Sequence, residues 1–285
     1  MELSIDDLHL FALNVGICRH NGDWNWKNVC SPFSRLYYVT EGSAKVETPE
    51  GICQLKAGYL YFIPAFMRHN DICDSLFTHY YIHIFEDPTL GRSILDEYEL
   101  PMEVKADPTD LLLMKRLYYI NPFLKVPESN PNAYDNHQTL INNYRKNLQR
   151  PFCDKAESRG ILFILLSRFL KYGRPKIAVA DDRIHGTLAF IRHNLSSRID
   201  IGDLASRACM SKGHFIREFK KATGETPNVF ITRLILERAQ LSLITTNLPI
   251  KTIADELGYQ DFSYFNRIFK KAMGVTPLQY RISHF

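Results

Sequence analysis

Several features that would identify a specialised class of protein are missing from this 285-residue chain. Its longest unbroken apolar run covers only positions 161–166, far short of the ~20 residues that a membrane-spanning helix needs. Its six cysteines include no Cys-x-x-Cys pair, so neither a disulfide framework nor a structural zinc site is predicted. Glycine is spread thinly, and no Walker loop, dinucleotide fingerprint or nucleophile elbow occurs. We therefore expect neither an enzyme nor a membrane protein, and we expect no cofactor and no metal.

An excess of charge of one sign is also missing from the chain as a whole, which has 35 Lys and Arg against 31 Asp and Glu. The balance is nevertheless uneven, because the part from Lys176 onward carries a net charge of +6 and the part before it −2. This asymmetry predicts that the C-terminal part meets a polyanion while the N-terminal part does something else. The first residues carry acidic side chains where a secretory signal would be basic, so we expect a cytoplasmic protein.

The most informative feature that is present is an internal repeat. Residues 219–227 (FKKATGETP) recur fifty positions later as residues 269–277 (FKKAMGVTP), and the same offset relates Arg217 to Arg267. Upstream, Leu204 corresponds to Ile253 at an offset of 49, so the two copies differ by one residue in a turn. Each copy is therefore predicted to be a helix, a turn and a second helix.

Capping residues and apolar spacing set the predicted helix boundaries. Asp200 and Ser211 are expected to cap the two helices of the first copy, and Asp261 the second helix of the second copy. Gly258 is expected to provide a left-handed residue in the second turn. Phenylalanines spaced four apart predict the buried stripe of each second helix, namely Phe215 with Phe219 and Phe265 with Phe269.

A helix-turn-helix binds DNA by placing its second helix in the major groove. Residues of the two second helices that point away from the phenylalanines are therefore candidate DNA contacts. At equivalent positions, Arg217 and Arg267 could reach guanine or a phosphate, while the lysines would serve phosphates. The alternative is that these positions are ordinary solvated helix faces. The full set is Lys212, Gly213, Ile216, Arg217 and Lys220 in the first copy, and Phe262, Ser263, Asn266, Arg267 and Lys270 in the second.

From about residue 183 to 282 the sequence resembles the AraC/XylS family of bacterial transcription regulators. The shared features are Ile253-Ala-x-x-x-Gly258-Tyr259, Phe265-x-Arg267-x-Phe269-Lys270 and Gly274-x-Thr276-Pro277. The resemblance implies tandem helix-turn-helix units on double-stranded promoter DNA, contact with RNA polymerase, a homodimer and the role of an activator. Gly213 and Ile216 depart from the family, which often has a large side chain at the first position and a polar one at the second. The first unit is therefore expected to read few bases directly, with Ile216 touching a thymine methyl.

Residues 8–85 have the turn signals and alternation of short strands, which predict a sandwich or barrel. The segments 35–39 and 44–47 flank Glu41-Gly42, a hairpin signal, and 59–63 ends at Pro64. The stretches 37–44 and 55–64, with Arg68-His69, resemble the cupin-type sensory barrel of many AraC relatives. That resemblance implies a pocket for a small-molecule effector, often a sugar or another metabolite.

The residues of such a pocket are less well defined by the sequence. The strand 78–85 presents His79, Tyr81 and His83 on one face and Tyr80, Ile82 and Ile84 on the other, and either face could point inward. Aromatic walls with a few polar groups suit a carbohydrate, although each candidate taken singly could be ordinary core or rim. The candidate effector-binding residues are Trp24, Trp26, Arg68, His69 and Tyr80.

The sequence thus predicts an α+β chain of two domains. Residues 1–172 are expected to form a cupin-like sensing and dimerisation domain, residues 173–182 a linker, and residues 183–285 the all-α DNA-binding domain. The apolar helix predicted at 156–172 either packs on the first domain or forms the dimer interface. Two alternatives concern the first domain, which could serve only to dimerise or could be a metal-dependent cupin enzyme. The enzyme would need ligands from distant His79 or His83, because Arg68-His69-Asn70 offers one histidine with no glutamate nearby.

Overall fold

The protein is described by a computed structural model, which covers residues 4–86, 93–135, 137–175 and 182–283. The chain divides into two compact units, one of Asp6–Arg174 and the other containing Pro175–Phe285. We call them the sheet unit and the helical unit. Positions 176–181 of the predicted linker lie outside the described residues. No helix in the described ranges is both long and apolar enough to cross a bilayer.

The sheet unit contains an eight-stranded antiparallel sheet, in which β1, β7, β3, β5 and β9 are neighbours in that order. The second half of β3 also pairs with β4 and β6, and β6 pairs with β2. The strands are β1 (Leu10–Asn21), β2 (Trp26–Val29), β3 (Ser34–Thr48), β4 (Gly51–Lys56), β5 (Tyr59–Ile63), β6 (His69–Ile72), β7 (Leu76–Glu86), β8 (Tyr98–Glu99), β9 (Glu103–Lys105) and β10 (Arg174–Pro175).

Among the residues that the structure describes, five α-helices lie in the sheet unit and seven in the helical unit. Those of the sheet unit are α1 (Ile94–Glu97), α2 (Asp110–Ile120), α3 (Pro131–Tyr134), α4 (His137–Gln149) and α5 (Phe152–Leu170). Those of the helical unit are α6 (Asp182–His193), α7 (Ile201–Arg207), α8 (Lys212–Thr223), α9 (Pro227–Thr245), α10 (Ile250–Glu256), α11 (Phe262–Met273) and α12 (Pro277–Ser283).

The hairpin predicted at Glu41-Gly42 is wrong, because β3 runs through this point as one strand. Gly42 has φ +70° and lies beside a register shift between β3 and β7. A bulge at a left-handed glycine bends a strand without ending it. Before the bend, β3 pairs with β5 and β7. After the bend, it pairs with β4 and β6. The hairpin instead follows β3, where Thr48 pairs with Gly51.

The two faces of β7 have different neighbours. Tyr80 and its side of the strand face the helices, since the Tyr80 ring meets that of Tyr118 in α2 at 6.2 Å. On the other side, the ring of His79 lies 4.8 Å from that of Tyr37 and 5.6 Å from that of Trp24. We call this second side, with the β3 residues opposite it, the His79 face. The sequence alone did not decide which face of this strand points inward. The structure shows that the His79 face carries the buried aromatic cluster of the unit.

In the helical unit the predicted capping residues and apolar stripes are confirmed. Asp200 accepts hydrogen bonds from the backbone amides of Gly202 and Asp203, and Asp261 from those of Ser263 and Tyr264. The four stripe phenylalanines are fully buried. The turn between α7 and α8 is one residue shorter than that between α10 and α11, and its left-handed residue is Cys209 where the second turn has Gly258.

Candidate nucleic-acid interface and buried polar cluster

The helices α8 and α11 each present a basic surface opposite their buried phenylalanines. Their C-terminal turns carry paired lysines and end in left-handed glycines, Gly224 and Gly274. None of the ten candidate contacts is buried. Seven are exposed, namely Lys212, Gly213, Arg217, Lys220, Ser263, Arg267 and Lys270, while Ile216, Phe262 and Asn266 are half-buried.

The two surfaces differ in what they offer to a base edge. On α11 the guanidinium of Arg267 lies over the ring of Tyr264 at 5.6 Å, and Tyr264 is itself 48% exposed. Asn266 donates a hydrogen bond to the Phe262 carbonyl at 3.0 Å through its side-chain nitrogen, and its side-chain oxygen is a hydrogen-bond acceptor. On α8 the equivalent of Ser263 is Gly213, where an added Cβ would meet no heavy atom within 4 Å. Tyr264 was not among the sequence candidates, although its position three residues before Arg267 is a helical-neighbour signal.

The His79 face contains a second group of interest, a cluster of buried polar side chains. Arg35 is 1% exposed and donates to the Ser31 hydroxyl at 2.5 Å. The Ser31 hydroxyl in turn donates to Asp135, whose carboxylate lies 3.9 Å from the Arg35 guanidinium. His69 Nε2 and Asp71 Oδ1 are 3.7 Å apart. Within the part of the chain that the structure describes, no three His, Cys, Asp or Glu side chains are grouped so as to hold a metal ion.

Burial dominates the titration of this cluster. It raises the pKa of Asp71 to about 7, against the opposing effect of the Arg35 charge. Burial and the same charge lower the pKa of His69 to about 4, and burial lowers that of His79 to about 3. Arg35 keeps its charge, because nearby tyrosines and aspartates raise its pKa in spite of its burial. The cluster is therefore a fixed cation among neutral imidazoles and a carboxyl that ionises near neutral pH.

Replacing Asp71 with asparagine is expected to change how stability depends on pH. The raised pKa means that the folded protein binds a proton that the unfolded chain has released, so stability falls as pH rises from about 4 to 7. The stability gained by D71N over wild type should then grow by about 2 kcal/mol between about pH 5 and about pH 8. Urea unfolding of both proteins at the two pH values measures this difference. The contributions of the histidines cancel between wild type and D71N, because both proteins contain them. If the difference in free energy of unfolding is the same at both pH values, a buried Asp71 is contradicted.

The structure brings some of the five effector candidates together and separates others. Trp24 is buried in the aromatic cluster of the His79 face, and Trp26 packs against that cluster. His69 is buried next to Asp71. Tyr80 lies on the opposite face against α2, and Arg68 is exposed.

The sequence candidates did not include Arg35, Asp71 or Asp135. A signal existed for Arg35, which is the only charged residue in the strand segment 35–39, whose other residues are apolar or aromatic. Asp71 follows His69 by two residues and so shares its face. Nothing local points to Asp135, which is 104 positions from Ser31.

Comparison with known proteins addresses mainly the helical unit. Residues 204–283 match a family model described as a helix-turn-helix domain. The MmsAB operon regulatory protein of Pseudomonas aeruginosa is 34% identical over 98 residues, which are 34% of this chain and 32% of that protein. The arabinose operon regulatory protein of Salmonella typhimurium is 30% identical over 119 residues, covering 41% of this chain and 42% of that one. The matched part therefore spans less than half the length of these two relatives.

Two comparisons cover nearly the whole chain. An uncharacterised HTH-type transcriptional regulator of Haemophilus influenzae is 24% identical over 285 aligned positions, 93% of this chain and 92% of the other. The solved structure of ToxT from Vibrio cholerae is 13% identical with a TM-score of 0.50, and it covers 95% of this chain and 98% of that one. This likeness shows a shared fold. The Pseudomonas, Salmonella and Haemophilus relatives are all described as regulators.

Proposed function

This chain belongs to the AraC/XylS family of transcription regulators, and we propose that it binds promoter DNA through α8 and α11 and responds to a small-molecule effector held by the sheet unit. The proposal of DNA binding rests on one observation: the helix pair occurs twice, and both copies have exposed basic residues at equivalent positions. Arg217 with Lys220 on α8 and Arg267 with Lys270 on α11 lie above equivalent buried phenylalanines. Two helix-turn-helix units of this kind enter successive major-groove segments.

The helix α11 offers more hydrogen-bonding groups to the DNA bases than α8 does. Ser263, Asn266 and Arg267 give α11 hydrogen-bonding groups for base edges. The corresponding residues of α8 are Gly213, Ile216 and Arg217, of which only the arginine can hydrogen-bond to a base. The lysines of both helices neutralise phosphates, which adds affinity without sequence preference.

Replacing Arg217 or Arg267 with alanine is expected to weaken binding to the preferred DNA site by about 1 to 3 kcal/mol, through the loss of a charged bidentate contact. The site is first identified by selecting genomic fragments with the purified full-length protein at two salt concentrations. Affinities for the recovered site are then compared with those for unrelated DNA. Arg145, an exposed arginine of α4, provides the control variant Arg145→Ala, which should leave binding unchanged. If R217A and R267A bind as wild type does, α8 and α11 are not the reading helices.

A cupin-like sensor is the role that we assign to the sheet unit, residues 1–172, followed by a linker at 173–182 and the DNA-binding domain at 183–285. Support comes from the polar cluster of the His79 face, where a sugar or other metabolite would meet Arg35, His69 and Asp71, and from the aromatic cluster of that face, which includes Trp24. A regulator with this role acts in the cytoplasm, where promoter DNA and RNA polymerase are found, and we assign it the part of an activator.

A homodimer formed through α5 completes the proposal. The inner side of this helix is buried on the sheet unit, yet Phe152 and Ile164 remain 83% and 43% exposed. The exposed Ala156 and Gly160 between them allow a second helix to approach closely. A thermal-shift screen across metabolites separates a sensor from a domain that only dimerises, because a specific ligand raises the melting temperature by linkage.

A further inference from the structure

Residues 121–135 cross the His79 face and are tied to it at both ends; we call them the strap. Near its start, the Leu124 carbonyl accepts hydrogen bonds from the Val15 backbone amide at 2.9 Å and from the Asn14 side chain at 3.2 Å. Two residues later, the Val126 backbone amide donates to the Tyr81 hydroxyl at 3.0 Å. These bonds join the strap to β1 and β7.

The far end of the strap reaches the polar cluster itself. The Tyr134 ring lies 4.9 Å from the ring of His83, and Asp135 accepts the hydrogen bond from the Ser31 hydroxyl. The Asp135 carboxylate is the nearest anionic partner of Arg35, at 3.9 Å. The last residue of the strap thus supplies negative charge to a buried guanidinium.

Several polar atoms around Arg35 remain without hydrogen-bond partners. Among the described residues, these are Arg35 Nε, His69 Nε2 and Asp71 Oδ1, and the three side chains are each at most 3% exposed. Buried polar groups in folded proteins are nearly always paired, and an unmet pairing marks a site for a ligand or an ordered water. Arg35 Nε and its terminal nitrogens together form the fork that binds a carboxylate through two hydrogen bonds.

We propose that the strap is a displaceable cover, and that the effector of this protein carries a carboxylate that takes the place of Asp135 beside Arg35. The inference rests on the proposed effector response and names the chemistry of the ligand. A guanidinium cannot shed its charge, so lifting the strap leaves a buried cation that an entering carboxylate neutralises. A neutral amide of the same shape supplies no such charge. Binding of the ligand and release of the strap are therefore one exchange of carboxylates.

The test uses the full-length protein with small probe acids. Acetate, hexanoate and benzoate are compared with acetamide, hexanamide and benzamide at equal concentration, by melting temperature and by limited trypsin digestion. Lys125 is the only basic residue in the strap, so cleavage after it reports lifting of the strap. Cleavage after Lys45 in β3 reports unfolding of the whole unit. At least one acid should raise the melting temperature and speed cleavage after Lys125 alone, while its amide does neither.

Variants distinguish an exchange of carboxylates at Arg35 from a general loss of stability in the sheet unit. D135N should speed cleavage after Lys125 by about tenfold or more and tighten binding of the responding acid by a similar factor, because the Ser31 hydroxyl loses its charged acceptor and Arg35 loses its nearby negative charge. Asp110→Asn removes the charge of another buried aspartate in the same unit, which lies 3.1 Å from Nε of the half-buried Arg168, and should change neither quantity. R35K keeps the charge without the fork and should weaken binding of the acid.

Three results would overturn the proposal. The first is an acid that stabilises the protein without speeding cleavage after Lys125, and the second is stabilisation by an amide equal to that by its acid. The third is D135N behaving as D110N does. The proposed function is judged separately, because the DNA affinities of R217A and R267A and a response of DNA binding to neutral metabolites do not depend on Arg35.

Discussion

Replacing Gly42 with alanine is expected to destabilise the sheet unit by more than about 3 kcal/mol. An added Cβ would lie 1.7 Å from the Leu76 carbonyl oxygen and 2.6 Å from its carbon. These are backbone atoms of β7, so no side chain can move aside to make room. Alanine is strained as well at the φ of +70° found here. Relief requires β3 and β7 to separate at the bend.

Gly58 provides the matched control for this substitution. Its φ is +82°, but an added Cβ would meet no heavy atom within 4 Å. G58A should therefore cost only the backbone strain, about 1 kcal/mol. Both tryptophans of the chain lie in the sheet unit, so tryptophan fluorescence during urea unfolding reports this unit alone. Equal losses for G42A and G58A would show that the contact with Leu76 is relieved at little cost.

The second large effect is expected from replacing Phe269 with alanine. This change should lower the free energy of unfolding of the helical unit by about 3 to 5 kcal/mol. The side chain is fully buried, with its ring 5.9 Å from that of Phe265 and 5.4 Å from that of Tyr280 in α12. Truncation leaves a cavity where α11 and α12 meet, and α11 is the helix that we assign to base reading. DNA affinity should therefore fall even though Phe269 does not face the DNA.

The measurement is thermal unfolding followed by circular dichroism, together with DNA binding at several temperatures. Ile282 is a suitable control in α12, being 58% exposed, and I282A should change stability by less than about 0.5 kcal/mol. Tryptophan fluorescence should show the sheet unit of F269A unfolding as in wild type. A variant with wild-type stability and DNA affinity would mean that Phe269 is not a core residue of this unit.

The parts of the fold that could be predicted from the sequence depend on neighbours in the chain. Asp200 and Asp261 cap amides two and three residues ahead, and Phe265 meets Phe269 one helical turn away. The repeat also made the prediction more secure, because two segments had to support the same arrangement. Local spacing was therefore sufficient for the helix pairs, while the DNA contacts assigned to them stay a prediction.

The interior of the sheet unit could not be predicted in this way. Both faces of β7 are apolar or aromatic, so alternation could not distinguish the face of His79 from that of Tyr80. Glu41-Gly42 has the composition of a turn, but a positive φ serves a bulge equally well. The pairing of Arg35 with Asp135 depends on residues about a hundred positions apart, for which one sequence carries no signal.

The strap also determines when the sheet unit can finish folding during synthesis. Strands β1 to β7 are complete at Glu86, but their interior contains an arginine whose nearest carboxylate partner is Asp135. Until that residue has left the ribosome, the nascent sheet holds an unneutralised cation and lacks the backbone bonds of Leu124 and Val126. Contacts between residues so far apart in the chain make folding slow. Until they form, the edges of the strands can pair with neighbouring chains. A gene fragment ending after β7 therefore encodes an aggregation-prone piece, and the smallest independent sensor extends beyond the strap.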